Sequence, residues 1–359
     1  MTGCTQQAVS RPNAMTIAAN KTEVADRASA PLTGDRALRY VERRLGYDIN
    51  DLLVFPKFLC IETTNQCNAR CVMCGVDFGE RERLRMSDSL YGKILEELAP
   101  HAARMERVGL FVNCEPLMDP DLEDRITELK EIGIRTTYLN SNASLLFPQR
   151  AESLIRAGLD RIHITIDSLD PDRYEAIRRG LKFHDVYENT LAFLRLRDAI
   201  NPKLLVRIQM VGQAQNRDEA EAFVEHWRPL VATDDQVVVT RGFNWGKAAD
   251  VERGSEGREY NHFPCIALWS TLEILADGDV HLCCVDVDGE VGLGNAAEST
   301  VEEIWRGDLL ARARQAHLSG QRERIRICDG CAVWWEDKYV CRREADERED
   351  RRVGADGDA

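Results

Sequence analysis

Between residues 58 and 241 the sequence alternates six apolar, strand-like segments with amphipathic, helix-like ones. The predicted strands are residues 58–64, 107–113, 134–140, 161–167, 203–211 and 236–241. Regular β–α alternation with apolar strands predicts a parallel sheet covered by helices. Six units are too few for a closed eight-stranded barrel, so a partial barrel or an open doubly wound sheet is expected. In both folds, functional sites form at the carboxyl ends of the strands.

The composition describes an acidic chain that can bury a substantial core. Of its 359 residues, 44% are hydrophobic and 30% are charged, and the formal net charge is −14. That charge argues against a general nucleic-acid binder, which needs a basic face. No stretch approaches the roughly 18 apolar residues of a membrane span, and the first residues lack the apolar core of a secretory signal. We therefore expect a soluble, cytoplasmic protein that binds neither nucleic acid nor membrane.

Composition also divides the chain into five predicted segments. Residues 1–34 are polar and alanine-rich, which predicts disorder, and residues 35–54 predict a short helical segment. Residues 55–245 hold the six β–α units and predict the core domain. A polar, glycine-rich stretch begins a second domain at residues 246–341. Residues 342–359 are nearly all charged or small, which predicts a disordered tail.

Local signals mark the ends of several predicted elements. Ser87 is expected to cap the helix in "SDSLYGKILEELAPH", and Gly158 suits the end of the helix that precedes the fourth strand. In the second domain, the Asp-Gly pair at 277–278 predicts a hairpin turn. Ser299 and Glu302 fit a capping box at the start of a later helix.

Three of the twelve cysteines form a C-x3-C-x2-C pattern directly after the first predicted strand. Clustered cysteines in a cytoplasmic chain more often bind metal or perform redox chemistry than form disulfides. The thiolates of Cys67, Cys71 and Cys74 suit zinc or an iron–sulfur cluster. Three ligands on a four-iron cluster leave one iron open for a substrate or cosubstrate. The alternative is a zinc site that borrows a fourth ligand such as Cys60 or His101.

Beyond the cysteines, three further stretches make residues 55–245 resemble the radical S-adenosylmethionine (SAM) superfamily. These are "CEPLMDPDL", "YLNSNASLL" and "ITIDSLDPDRYEAIRRG", in the order that the family has them. The resemblance implies a partial (β/α)6 TIM-like barrel. It also implies a [4Fe–4S] cluster whose open iron is chelated by SAM. Reductive cleavage of SAM in this family gives a 5′-deoxyadenosyl radical, which takes a hydrogen atom from the substrate.

The same resemblance assigns roles to residues of this chain. The three loop cysteines match the cluster ligands, and Glu115 matches the contact to the SAM amino group. Thr165 and Arg178, the latter expected on the following helix, match polar contacts to the SAM carboxylate or ribose, and Asn142 is a ribose candidate. Thr165 could instead be an ordinary strand residue and Arg178 a surface helix residue. Cys114 departs from the family pattern, which usually has glycine there.

The C-terminal stretches "PCIALWSTLEILADGDVHLCC", "LGNAAESTVEEIW" and "CDGC" resemble the SPASM/twitch class of iron–sulfur extensions. The resemblance implies a small α+β domain with an auxiliary [4Fe–4S] cluster held by Cys265, Cys283, Cys328 and Cys331. The shorter twitch form is favoured because only Cys341 follows the final pair. Cys284 competes with Cys283 for one ligand position, because neighbouring residues on a strand point to opposite faces and only one of the two can be the ligand. The family has a Gly-x4-Cys interval that Gly278 and Cys283 match, so Cys283 is favoured. A zinc ribbon is the alternative.

The order of these ligands most resembles the 2-deoxy-scyllo-inosamine dehydrogenases of the butirosin pathway. That resemblance implies a SAM-dependent oxidoreductase of natural-product biosynthesis that oxidises a secondary alcohol of a sugar, aminocyclitol or sugar nucleoside. A flavodoxin- or ferredoxin-type reductant is expected as its partner. The alternatives are a radical epimerase with Cys114 as hydrogen donor, a sugar-nucleoside decarboxylase and a peptide maturase. A role for Cys114 as a small buried packing residue is favoured over that of hydrogen donor, which places oxidation before epimerisation. A non-enzymatic electron carrier or zinc-binding scaffold is the remaining class.

Overall fold

The computed structural model describes four parts of the chain, residues 32–75, 81–241, 261–287 and 289–331. The predicted disordered tail at 342–359 lies outside the described residues, and so does the predicted N-terminal disorder up to residue 31. Cys341 and the start of the predicted second domain also lie outside them. Within the described parts, no helix is long and apolar enough to cross a membrane.

Eleven strands form within the described residues. In chain order they are β1 (Phe58–Ile61), β2 (Arg70–Cys71), β3 (Arg107–Gly109), β4 (Thr137–Ser141), β5 (Arg161–Thr165), β6 (Arg178–Arg179), β7 (Leu205–Gly212), β8 (Gln236–Arg241), β9 (Thr271–Ile274), β10 (Asp279–His281) and β11 (Gly292–Asn295). Nine of them form one sheet in the order β11-β10-β9-β1-β3-β4-β5-β7-β8, and β2 pairs with β6. The strands from β1 to β8 in that sheet run parallel. This confirms the predicted α/β class with a partial (β/α)6 barrel.

Helices connect and cover these strands. In the described parts they are α1 (Gly34–Leu45), α2 (Ile49–Leu52), α3 (Asp88–Leu98), α4 (Leu122–Glu131), α5 (Pro148–Ala157), α6 (Pro171–Ile177), α7 (Phe183–Ile200), α8 (Ala220–Trp227), α9 (Val301–Arg306) and α10 (Asp308–Leu318). The Ser87 hydroxyl accepts a hydrogen bond from the Leu90 N–H at the start of α3. Gly158 ends α5 with a φ of 100°. Both predicted helix ends are therefore confirmed.

The capping box predicted at Ser299 and Glu302 is wrong by one residue. Helix α9 begins at Val301, so Thr300 is the capping residue. The Thr300 hydroxyl accepts a hydrogen bond from the Glu303 N–H, and the Glu303 carboxylate accepts one from the Thr300 N–H. Val301, the first residue of α9, is buried.

The predicted hairpin forms between β9 and β10, and it extends the parallel sheet. Gly278 has a φ of 90°, and its N–H donates to the Leu275 carbonyl at 2.9 Å, which confirms the turn. The sequence did not predict that β9 also pairs in parallel with β1. In that pairing, Cys60 lies opposite Glu273. The C-terminal region therefore places side chains on the same sheet faces as the core strands.

The two faces of the parallel sheet differ in chemistry. On one face, Leu59 and Ile162 are fully buried. Strand side chains alternate between the faces, so Cys60, Tyr138 and His163 lie on the other. There the Cys60 Sγ is 3.3 Å from the Tyr138 hydroxyl, and the rings of Tyr138 and His163 are 5.9 Å apart. We call the face that carries these three side chains the inner face; its polar groups suit a polar ligand better than an apolar one.

A buried ion pair joins α7 to the far end of the sheet. Arg197 is 1% exposed, and it donates two hydrogen bonds to the Asp235 carboxylate, at 2.9 and 2.6 Å. The same carboxylate accepts the N–H groups of Val206 and Ala232. Arg197 also contacts the exposed carboxylate of Asp198. The pair thus fixes α7 against the start of β7 and the segment that leads into β8.

We predict that Asp235→Ala lowers the free energy of unfolding by about 3–5 kcal/mol, because it leaves a buried guanidinium without its counter-charge. Asp198→Ala is the matched control, since it removes an exposed partner of the same arginine and should cost at most about 1 kcal/mol. Urea unfolding followed by circular dichroism measures both changes. Equal stabilities of the two variants would contradict the prediction.

Candidate active site

The three cysteines of the C-x3-C-x2-C pattern lie together at the carboxyl end of β1. Cys71 belongs to β2, and the Cys74 N–H donates to the Cys71 carbonyl at 3.0 Å. The pKa of Cys67 is raised to about 12, mainly by burial and further by the charges of Glu115, Cys71 and Cys74. Charges influence a buried thiol in this way at short range. The structure thus brings the predicted ligands together, with Glu115 beside them.

Asn65 clamps the two ends of the segment that carries these cysteines. Its side-chain amide donates to the Glu82 carbonyl at 2.6 Å, and its side-chain oxygen accepts the Leu84 N–H at 2.8 Å. The backbone of Asn65 also donates to the Leu84 carbonyl. A loop whose ends are held this firmly can present its thiols in a fixed arrangement.

Arg178 lies directly against the loop, but it is not on a helix as predicted. Helix α6 ends at Ile177, and Arg178 begins β6, where it pairs with Cys71 of β2. This pairing gives Arg178 a ψ of 61°, which no helix residue has. The buried guanidinium donates to the Asp167 carboxylate at 2.5 Å and to the Cys71 Sγ at 3.4 Å.

Glu115 is buried and anchors the end of β4 next to the cysteine loop. Its carboxylate accepts hydrogen bonds from the Ser141 hydroxyl at 2.7 Å, the Asn142 N–H at 2.7 Å and the Leu117 N–H at 3.2 Å. Burial raises the pKa of Glu115 to about 7, although these hydrogen bonds lower it. The Glu115 N–H in turn donates to the Gln66 carbonyl, at 2.9 Å. The carboxylate therefore links three segments around the loop.

Asn142 and Thr165 lie at the carboxyl ends of neighbouring parallel strands. The Asn142 side chain donates to the Asn68 side chain of the cysteine loop at 3.0 Å, and it accepts hydrogen bonds from Ser144. The Thr165 hydroxyl is 3.4 Å from the Ser141 carbonyl. The positions predicted from the resemblance are thus connected to one another and to the loop.

Cys114 lies beside the loop, after a bent segment that follows β3. The strand predicted at 107–113 ends earlier than expected. Burial raises the pKa of the Cys114 thiol well above its ordinary value, and the charges of Glu62, Glu115 and Cys67 raise it further. A thiol in these surroundings is neutral, and it keeps its hydrogen.

A second group of thiols gathers in the C-terminal region: Cys265, Cys283, Cys328 and Cys331. Burial raises the pKa of Cys328 above its ordinary value; the positive charge of Arg322 opposes this, and the nearby thiols Cys265 and Cys331 add to it. Burial likewise raises the pKa of Cys283, as do the charges of Cys328 and Cys331. All four predicted ligands therefore lie close together. Arg322 donates to the carbonyls of Cys328 and Cys331, at 2.9 and 2.8 Å.

Cys283 and Cys284 lie just beyond β10, rather than on the strand where they were predicted. Their surroundings overlap, because the charges of both Cys284 and Glu273 act on Cys283. Cys283 interacts with Cys328 and its companions, whereas the Cys284 side chain forms a hydrogen bond with Glu273. Glu273 lies opposite Cys60 of the inner face, so Cys284 lies on the side of the barrel interior.

Among the described residues, no His, Cys, Asp and Glu side chains are gathered around a single point as one metal ion would require. Whether the two thiol groups suit iron–sulfur clusters therefore depends on the chemical type of their donor atoms. Both groups consist of thiols, the usual ligands of such clusters, and each has a buried arginine beside it, Arg178 in one and Arg322 in the other.

Three positioning residues were missed by the sequence analysis. Ser141 ends β4, so the rule that sites form at strand ends could have found it. Asn68 lies within the cysteine loop, between predicted ligands. Arg322 carries no local signal, because its role depends on carbonyls that only the folded chain brings to it.

Comparison with known families supports the two thiol sites. Residues 61–226 match the family model of the Radical SAM superfamily. Residues 265–332 match the SPASM model, described as an iron–sulfur cluster-binding domain. The first range contains the C-x3-C-x2-C loop, and the second contains the four C-terminal thiols.

The curated relatives include several GTP 3′,8-cyclases. That of Petrotoga mobilis is 30% identical over 167 residues, which is 46% of this chain and 50% of the relative. That of Limosilactobacillus fermentum is 29% identical over 178 residues, which is 47% of this chain and 50% of the relative. The chain therefore spans about half the length of the curated relatives it matches.

Solved structures with a similar fold include BtrN in complex with AdoMet and 2-DOIA, at 18% identity and a TM-score of 0.54, covering 77% of this chain and 93% of that one. Another is Streptococcus suis SuiB bound to precursor peptide SuiA, at 16% identity and a TM-score of 0.62, covering 78% and 72%. At these identities the likeness shows the fold alone.

The radical SAM domain implies a [4Fe–4S] cluster with SAM, and the SPASM domain implies auxiliary iron–sulfur binding. The thiol groups described above provide donors of the right type in both matched ranges. The chain thus contains a Radical SAM domain at residues 61–226 and a C-terminal iron–sulfur cluster-binding domain of the SPASM type at residues 265–332.

Proposed function

We propose that this chain is a radical SAM oxidoreductase that oxidises a secondary alcohol of a small polyhydroxylated substrate to a ketone. The observation that carries the proposal is the arrangement of two thiol groups around one sheet. The loop of Cys67, Cys71 and Cys74 follows β1, and the hairpin that leads to Cys283 pairs with the same strand. Oxidation of an alcohol needs one site that starts a radical reaction and a second that takes up an electron.

Cys67, Cys71 and Cys74 would hold the [4Fe–4S] cluster through their thiolates. When SAM is bound, this group supplies a 5′-deoxyadenosyl radical that takes a hydrogen atom from the substrate. The buried Arg178 guanidinium donates to the Cys71 Sγ at 3.4 Å and so helps to fix the position of this proposed ligand. The loop itself is held rigid by the clamp at Asn65.

The SAM contacts are proposed at Glu115, Asn142, Thr165 and Arg178. A carboxylate has about four acceptor positions, and three of those on Glu115 are filled by protein donors. The fourth remains for an ammonium group such as that of SAM. The chain of hydrogen bonds from the cysteine loop through Asn142 to the strand ends supports a ligand site that is already organised.

The auxiliary [4Fe–4S] cluster is proposed at Cys265, Cys283, Cys328 and Cys331. A centre with four protein ligands leaves no position for a substrate, which suits it to electron transfer. Arg322 lies among these thiols and offsets part of their negative charge. A flavodoxin- or ferredoxin-type protein is the proposed reductant.

The chemistry of the inner face supports a substrate rich in hydroxyl or amino groups. Glu273 is buried, and among the described residues one of its carboxyl oxygens, Oε2, has no hydrogen-bond partner. Burial raises its pKa to about 8, as do the charges of Glu62 and Asp286. A hydroxyl or amino group would satisfy that oxygen. We do not carry GTP over from the relatives, because the chain spans only about half of their length.

Epimerisation is the second candidate, and the location of Cys114 favours it. Its neutral thiol lies beside Cys67 and Glu115, and a thiol there could return a hydrogen atom to a substrate radical. We rank it second because a buried free cysteine commonly serves as a small packing residue.

The first prediction concerns the loop cysteines. Replacing Cys67, Cys71 and Cys74 together by alanine should lower the bound iron to about half, because one of two four-iron clusters is lost. The variant should also lose reductive SAM cleavage with dithionite. Cys60→Ala is the matched control, since it removes a buried thiol outside both groups. SAM cleavage by the triple variant would show the assignment to be wrong.

The second prediction separates the adjacent cysteines. Cys283→Ala should remove the auxiliary cluster signal from the EPR spectrum of the reduced protein, because Cys283 lies near Cys328 and Cys331. Cys284→Ala should retain that signal, because its thiol contacts Glu273 instead. Loss of the signal in the Cys284 variant alone would reverse the choice between them.

The third prediction tests the reaction. We expect anaerobic turnover in deuterated water, with aminocyclitols and sugars as candidate substrates, to give 5′-deoxyadenosine and a ketone without solvent deuterium at the attacked carbon. Cys114→Ala should leave this outcome unchanged. An alcohol product that carries deuterium at that carbon, and loses it in Cys114→Ala, would replace oxidation by epimerisation.

A further inference from the structure

Helix α1 carries a stripe of exposed arginines on a chain that is acidic overall. Arg36, Arg39 and Arg43 are exposed, and their spacing of three and four residues places them on one side of the helix. Together with Leu32 they line one shallow cavity. We call this surface the arginine patch. It stands out because the formal net charge of the whole chain is −14.

The charge of the patch is not neutralised within the described part of the chain. None of the three arginines has an ion-pair partner among the described residues. Two acids lie on the same helix, Asp35 and Glu42. Glu42 is turned towards α2, where its carboxylate accepts the Ile49 N–H at 3.0 Å. The patch therefore presents positive charge to whatever approaches α1 from outside.

The flank of α1 next to the patch faces the proposed auxiliary site, because Tyr40 is four residues after Arg36 and three before Arg43. Tyr40 is buried there, and its ring lies 5.4 Å from the ring of Phe263. Burial raises the pKa of Tyr40; the charges of Arg44 and Arg43 oppose this shift, whereas that of Cys265 adds to it. Tyr40 is thus close both to the arginines and to a proposed cluster ligand. Phe263 is two residues before Cys265, so the patch lies close to the proposed auxiliary site.

We propose that the arginine patch is the docking surface for a small acidic electron-transfer protein of the flavodoxin type, which exchanges electrons with the auxiliary centre. The stripe from Arg36 to Arg43 extends about 10 Å along the helix, at 1.5 Å per residue, which is longer than a single phosphate or carboxylate group. It therefore matches an array of acidic side chains. This inference rests on the proposed auxiliary cluster, but docking itself does not require SAM chemistry.

The negative net charge of the chain favours an acidic protein partner that binds only at the arginine patch. Two acidic proteins repel each other over most of their surfaces, so a local positive patch orients their approach. The attraction should weaken as salt screens it, since the Debye length falls from about 10 Å at 0.1 M to about 3 Å at 1 M. A nucleic acid would also be attracted to the arginine patch. The acidic surface around the patch, however, would repel the phosphates on either side of the contact.

Binding of oxidised flavodoxin to the anaerobically prepared holoprotein tests the docking surface. Charge reversal in Arg36→Glu, Arg39→Glu and Arg43→Glu together should weaken binding at low salt at least about 10-fold, the lower end of electrostatic steering effects. The matched control reverses three exposed arginines elsewhere, at Arg135, Arg156 and Arg195, and should bind as the parent does. Three results would overturn the proposal. They are equal weakening of flavodoxin binding in both variants, no weakening in the patch variant, and binding that does not change with salt.

Electron transfer is measured separately by stopped-flow mixing. One electron passes from reduced flavodoxin, whose flavin is oxidised by that amount, to the oxidised auxiliary centre, which is reduced. The patch variant should slow this step, but reduction by dithionite, a small reductant that needs no docking, should be unchanged. Slowing with both reductants would contradict docking and indicate a damaged centre. An enzyme without SAM cleavage that still binds flavodoxin through the patch would contradict the proposed function alone.

Discussion

The surroundings of both candidate sites depend on the buried carboxylate of Glu62. It accepts two hydrogen bonds from Arg81, one from the Asn113 N–H and one from the Ala276 N–H. These donors belong to the segment after the cysteine loop, to the segment before Glu115 and to the β9–β10 turn. A buried charge is stable only while such partners remain in place. One side chain thus holds three distant parts of the chain at the end of β1.

The periodicity of the sequence was sufficient to predict the parallel core, because each strand is apolar and each connection is helical. It could not predict that β9 joins β1. The Ala276 N–H donates a hydrogen bond to Glu62, although the two residues are 214 positions apart. Strands at the edge of a sheet pair through backbone N–H and C=O groups, which nearly every residue has, so the side-chain pattern does not show which strands will pair. The capping box at Thr300 shows the same limit on a smaller scale. Two residue pairs had the correct spacing, and only the hydrogen bonds of the folded chain show that Thr300 and Glu303 form the box.

At the candidate site, the sequence identified residue types but not their contacts. Arg178 was predicted as a helix residue that contacts SAM. In the structure it pairs with Cys71 and contacts Asp167, because α6 ends one residue before it. Ser141 is the opposite case. The sequence analysis assigned it no role, yet its hydroxyl donates a hydrogen bond to the Glu115 carboxylate. Both differences arise from hydrogen bonds between segments far apart in the chain, which spacing alone does not encode.

The turn after β10 gives the proposed auxiliary centre a structural role in addition to electron transfer. Cys283 lies near Cys328 and Cys331, and Cys284 contacts Glu273 on the barrel side. The turn is closed by the Asp286 N–H, which donates to the Cys283 carbonyl, and by the Asp286 carbonyl, which is 2.7 Å from the His281 ring. A cluster that fixes the Cys283 side chain would therefore also fix the position of Cys284 and, through it, of Glu273. Substrate recognition on the inner face would then depend on the auxiliary centre, even for binding steps in which no electron moves.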